Sequence, residues 1–189
     1  MKKLHFLCIA LSIILLGCGG RYTIGGETFS SGSEALQKQT EILAHALAEI
    51  TPTDNPVHGT VLVIFPSDVE IQKNYIRLSF VNPSRIQQEP IDFIITSIKT
   101  NSQFMADAIR KRGIFDSVSV DRHNGNPASF PIGDYDYMVF IDVDGWFIRG
   151  KDNPRGLPIT VDKSKSDGAP RTLSFLDSLS QQAKAIHGR

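Results

Sequence analysis

Four carboxylates crowd one stretch in the second half of the chain. Asp134 and Asp136 precede a hydrophobic run, and Asp142 and Asp144 end it, in Met138-Val139-Phe140-Ile141-Asp142-Val143-Asp144-Gly145-Trp146. Carboxylate oxygens at such spacing suit a hard cation such as Ca²⁺ or Mg²⁺. The EF-hand pattern fails, however, because Gly145 falls fourth from Asp142 where that loop needs glycine sixth. Two aspartates alternating off the solvent face of a strand that stops at a Gly turn are the simpler expectation, and no metal or other cofactor is expected. His45, His58, His123 and His187 are scattered without a second ligand at zinc spacing. The chain has no G-x-S-x-G elbow, phosphate loop or dinucleotide fingerprint. Ser67-Asp68 reads as a cap of a helix or turn. Tyr75, Tyr135, Tyr137, Trp146 and Phe147 could present aromatic faces to a glycan or a protein, although aromatics in strands usually pack in the core. Of these, Trp146, Tyr135 and Tyr137 are the candidate contact residues.

A hydrophobic strand ending in Asp142-Val143-Asp144-Gly145 resembles the first motif of haloacid-dehalogenase-type phosphatases. The resemblance implies Asp142 as nucleophile and Asp144 as general acid, with Mg²⁺ between them. That family has Thr or Val where this chain has Trp146. It also needs a later lysine and a distal acidic pair, whereas only 43 residues follow Trp146 and hold no Gly-Asp or Asp-Asp pair at a strand end. The expectation is therefore a protein that is not an enzyme.

The N-terminus carries a different chemistry. Lys2 and Lys3 precede an apolar run from Leu4 to Leu16, 13 residues broken only by His5 and Ser12. A bilayer-spanning helix needs about 20, so this run fits the core of a signal peptide. Leu15-Leu16-Gly17-Cys18 resembles the lipobox of bacterial lipoproteins. That resemblance implies cleavage after residue 17, a diacylglycerol thioether on Cys18, and an acylated (typically palmitoylated) new amino terminus. Gly19, in place of an aspartate, implies the outer membrane. Two or more acyl chains hold a protein stably on a bilayer. Cys8 falls in the removed segment, so the mature chain has no pair of thiols for a disulfide and must rely on its core. Without Lys2 and Lys3 it carries 18 basic against 20 acidic residues, and this balance gives no surplus to attract nucleic acid.

The elements that would position these groups follow from periodicity. Residues 18–33, with glycines at 19, 20, 25, 26 and 32, read as a lipidated flexible tether, and residues 34–189 as one α/β domain. Leu36, Leu43, Leu47 and Ile50 make a helical face over 33–50, with Ser33 as cap. Thr60–Phe65, apolar on both faces, predicts a buried central strand. Ile76, Leu78 and Phe80 alternate with Arg77 and Ser79, which predicts a half-buried strand over 75–81. A long helix is expected from Ile91 to Arg112, with Arg110-Lys111-Arg112 complementing its dipole and Gly113 ending it. Strands are expected around Val118–Val120, over Tyr135–Val143, at Trp146–Ile148 and at Pro158–Val161, with a last helix over Thr172–Ile186. This order predicts a small mixed sheet of four to five strands packed with two to three amphipathic helices, and the Ile91 helix is long enough to cross over between parallel strands.

Over Thr60 to Trp146 the chain resembles the α/β domain of envelope-assembly lipoproteins of the CsgG, LpoB and PelC type. The resemblance is carried by the early strand ending Phe65-Pro66, by the helix ending Ala108-Ile109-Arg110-Lys111-Arg112-Gly113-Ile114-Phe115, and by Asp134-Tyr135-Asp136-Tyr137 before a strand. The chain lacks the long apolar hairpin of a secretion pore. The resemblance therefore implies a helper: an outer-membrane-anchored, periplasm-facing scaffold, regulator or assembly component, with an envelope protein or a second copy of the chain as partner. Recognition of a glycan or peptidoglycan is the alternative.

Overall fold

The computed structural model describes residues 22–24, 27–81, 91–126, 129–142, 145–162, 164–165 and 168–187. Two short strands, β1 (Tyr22–Ile24) and β2 (Glu27–Phe29), pair antiparallel and lead into α1 (Gly32–Glu49). Then follow β3 (Thr60–Pro66), α2 (Asp68–Val81), α3 (Ile91–Arg112), β4 (Ser117–His123), β5 (Tyr137–Asp142), β6 (Gly145–Gly150), β7 (Asn153–Pro158) and α4 (Ala169–His187). The main sheet has the order β4-β3-β5-β6-β7. Strands β3, β4 and β5 are parallel, and β6 and β7 return antiparallel. It is a single α/β domain on a mixed sheet.

β3 and β5 are apolar on both faces, so both faces need cover. Val61, Val63 and Phe65 face the main core with Tyr137, Val139 and Ile141, under Ala46 of α1, Ile109 of α3 and Leu176 of α4. Leu62, Ile64, Met138 and Phe140 face the other way. That side is covered by Phe130, Ile132 and Tyr135 from the β4–β5 connection, with Phe147 stacked on Phe140 at a centroid distance of 4.5 Å. Arg149 lies over the Phe140 ring, 5.3 Å from its centroid, and burial lowers its pKa. Edge strand β7 carries Pro154 and Pro158, which cannot donate to a further strand.

Helices α1 and α3 run side by side in the same direction. Near their starts Gln39 Nε2 donates to the Ser97 carbonyl. At their ends Lys111 Nζ donates to the Leu47 and Ala48 carbonyls at 2.8 and 3.1 Å, and Arg112 donates to Thr51 O. α1 has no basic residue in its own last turn. Part of the basic triplet expected to complement α3 therefore satisfies the open carbonyls of its neighbour. Gly113 stops α3 with φ +65° and an N–H to Arg110 O.

Four expectations are corrected. The cap of α1 is not Ser33, which lies inside the helix, but Ser31, whose Oγ accepts the Glu34 N–H at 3.2 Å. Residues 75–81 are not a strand but the second half of α2, which raises the helix count among the described residues to four. Ser67 caps this helix by accepting the Glu70 N–H at 3.2 Å, and Ser67-x-x-Glu70 is a capping-box spacing. Helix nucleation upstream overrides a seven-residue alternation. Part of the expected tether is folded as well: Ile24 is buried, and the Tyr22 and Phe93 rings lie 4.8 Å apart. Finally, β7 spans 153–158 rather than 158–161. Beyond it, Thr160 and Asp162 donate their N–H groups to the Ser178 and Ser174 hydroxyls of α4.

Gly150 sits directly beneath Ile186 of α4, where a Cβ would collide with the isoleucine side chain. Gly150→Ala is expected to destabilise the fold by about 1–3 kcal/mol through overpacking, measured as a lower urea midpoint with an unchanged m-value.

Candidate functional site

The carboxyl ends of the three parallel strands bring Ser67, His123 and Asp142 to one edge of the sheet. Ligands of open α/β sheets bind at this edge. Pro66 pairs with His123, and the β3–β5 register continues to Asp142, so all three lie in one row. His123 is 2% exposed. Its Nδ1 lies 2.9 Å from the Gly125 carbonyl, which only accepts, so Nδ1 carries the hydrogen of that bond. Its Nε2 lies 3.4 Å from Asp142 Oδ2, reaching across Pro66 from β4 to β5. Ser67 Oγ donates to Asn124 Oδ1, and Ser67 N donates to the His123 carbonyl at 2.9 Å. Glu70 accepts the Gly125 N–H at 3.1 Å. The serine is thus turned away from the imidazole as the cap of α2, and the histidine is sealed from solution. The arrangement ties β4 to β5. Among the described residues, no three metal-binding side chains converge.

The opposite, amino edge carries a second polar group. Asp136 Oδ2 accepts the Thr60 N–H and hydroxyl at 2.7 and 2.9 Å. Those two bonds, the amide first, hold the Asp136 carboxyl below the usual carboxylate range. Asp116 accepts from His58 Nδ1 at 2.9 Å and Gly59 N at 2.7 Å, and the His58 bond is the larger cause of its lowered pKa. His58 itself has φ +65°, an uncommon conformation for a residue with a Cβ. The two carboxylates pin the start of β3.

The aromatic candidates do not form one surface. Tyr137 is 3% exposed, tilted against Phe115 at 5.2 Å, with Oη 3.1 Å from His187 Nδ1. Burial, and secondarily Asp136, raises the Tyr137 pKa. Trp146 is half-buried, edge-on to Phe175 of α4 at 4.9 Å. Tyr135 packs on the opposite face of the sheet, among Leu62, Ile64 and Phe140. Asp142 ends a strand as expected, but contrary to expectation its side chain does not face solvent: it is 11% exposed and turned to His123. Cys18 and Asp144 lie outside the described residues. The partnership of Asp142 with His123 was not visible in the sequence, since 18 residues and an intervening strand separate them. An open groove of about 740 Å³ between the 160–165 segment and α4 is lined by Glu49, Val161, Asp162, Lys165, Leu173 and Asp177, among others. Asp177 there is bonded to Arg112 at 2.9 Å. No helix of the described residues is long and apolar enough to cross a membrane. No family model, curated protein or solved structure matches the chain.

Removing one member of the buried polar contact between His123 and Asp142 deprives the other of it. His123→Leu is expected to cost about 1–3 kcal/mol, and His123→Leu/Asp142→Leu less than the sum of the two single changes. Urea unfolding of the double-mutant cycle measures this coupling. The Asp136 carboxyl has a depressed native pKa, so its stabilisation is present above the ordinary carboxylate range and is lost as pH falls through the native value. Asp136→Asn should accordingly flatten the acid limb of stability against pH, measured by thermal melts from neutral to strongly acidic buffer.

Proposed function

We propose that the chain is a lipoprotein anchored through Cys18 in the outer membrane and facing the periplasm. In this reading its α/β domain is a non-enzymatic assembly, regulatory or scaffolding component of envelope machinery, acting through protein contacts. The observation that carries it is the run Leu15-Leu16-Gly17-Cys18 at the end of a short apolar segment behind Lys2 and Lys3. Two structural facts support the non-enzymatic part. The His123 imidazole is closed to solutes and faces Asp142, and Ser67 is committed to capping α2. The packing of Tyr137 on Phe115 and of Trp146 on Phe175 favours protein contacts over an aromatic glycan platform.

The full-length protein, expressed in a bacterium with an outer membrane, should incorporate a clickable palmitate analogue and float with outer-membrane fractions. Cys18→Ser should lose both the label and the membrane, and its retention on membranes would refute the anchor. In crosslinked membranes the wild type should give one stoichiometric adduct with an envelope protein or with itself. Cosedimentation with purified sacculi and no protein adduct would move the assignment to glycan binding.

A further inference from the structure

The direction in which the domain faces the membrane is written into its fold. The β1–β2 hairpin does not sit at an arbitrary place. Ile24 packs with Ile71 in the first turn of α2, with Phe93 and Ile94 in the first turn of α3, and with Ala35 at the start of α1. Glu27 pairs with Lys38 of α1 at 3.3 Å. α2 begins directly after β3 ends, and Lys99 of α3 bonds Asp68 at 2.6 Å. The hairpin, the starts of α1, α2 and α3, and the carboxyl edge of the sheet thus form one pole of the molecule. The other pole holds the end of α1, the end of α3 and the loop between α1 and β3, joined by Lys111 to Leu47 O and by Thr53 N to Arg112 O. Tyr137 Oη meets His187 there.

Only four Cα steps separate Cys18 from Tyr22, the first residue of the docked hairpin. Fully extended, they reach about 14 Å. The 18 residues of α1 put the far pole a further ~27 Å away. A lipid on Cys18 therefore cannot let the domain tumble freely at that distance. We infer that the hairpin pole, with the carboxyl edge of the sheet, is a membrane-apposed surface whose partner is the phospholipid headgroup layer, and that the amino-edge pole faces away from it. This inference rests on acylation of Cys18. Val69, in the first turn of α2 and 53% exposed, lies on the apposed pole, and Asp54 lies on the distal one.

The mature chain has no other cysteine, so single labels are clean. Val69→Cys and Asp54→Cys are made in the full-length protein, purified from membranes as the lipoprotein, and labelled with a small fluorophore. They are then reconstituted into vesicles of phosphatidylethanolamine and phosphatidylglycerol carrying a headgroup nitroxide. The label at 69 should be quenched at least twofold more than the label at 54. A long Gly/Ser insertion between Gly20 and Arg21 should bring the two values together. Equal quenching without the insertion, or an asymmetry that survives it, overturns the orientation while the acyl mass on Cys18 still stands. Absence of that mass from the purified protein overturns the anchor itself, and the orientation with it.

Discussion

The structure depends on one constraint: β3 and β5 are adjacent parallel strands with no polar face. Burying each large aliphatic or aromatic side chain contributes roughly 1.5–3 kcal/mol, and these strands place such side chains on both sides. One side receives α1, α3 and α4. The other receives no helix from the main crossover, and the β4–β5 connection passes over it with Phe130, Ile132 and Tyr135. A connection that must cross β3 to put β5 on its far side is thereby also the second layer of the core.

Polar groups are pushed to the two ends of this sheet, and each end is closed by a different device. At the amino edge, exposed carboxylates of Asp116 and Asp136 accept the amides of Gly59, just before β3, and of Thr60, its first residue. At the carboxyl edge, the pairing runs through the buried His123 and Asp142 and through Ser67, which caps α2 while its own N–H returns to β4. Chemistry-bearing residue types gather there because strands end there, and in this chain they are used up in holding the strands together. The ends of α1 and α3 follow the same economy, since Lys111 satisfies carbonyls of the last turn of α1 and Arg112 the Thr51 carbonyl just beyond it.

The sequence misleads where a local pattern has two readings. Ile76, Leu78 and Phe80 alternate as in a strand, yet the capping spacing at Ser67 and Glu70, followed by Gln72 and Lys73, commits the backbone to a helix before the alternation begins. The glycines of the 18–33 segment suggest a free tether. Tyr22, Ile24 and Phe29 among them are enough to dock a hairpin once α1 and α3 offer an apolar cleft. On the proposed acylation of Cys18, that docking leaves only residues 19–21 between the lipid and the first described strand. Pro158–Val161 is apolar enough for a strand, but its backbone is taken by the serine hydroxyls of α4.

Local chemistry is enough to place the long α3 helix and its Gly113 stop, the buried strand β3, a strand near β5, the parallel crossover between β3 and β4, and the last helix. Apolar period, capping residues and chain length act within a few turns, so a single sequence displays them. The resemblance of Leu15-Leu16-Gly17-Cys18 to a lipobox is of the same kind, a pattern read along the chain. Tertiary structure alone brings His123 to Asp142, turns Trp146 and Tyr137 into packing residues, and sets the hairpin at the carboxyl edge. Those facts depend on which strands become neighbours and in what register. Register is a property of the whole sheet, in which a shift of one residue would exchange its two faces.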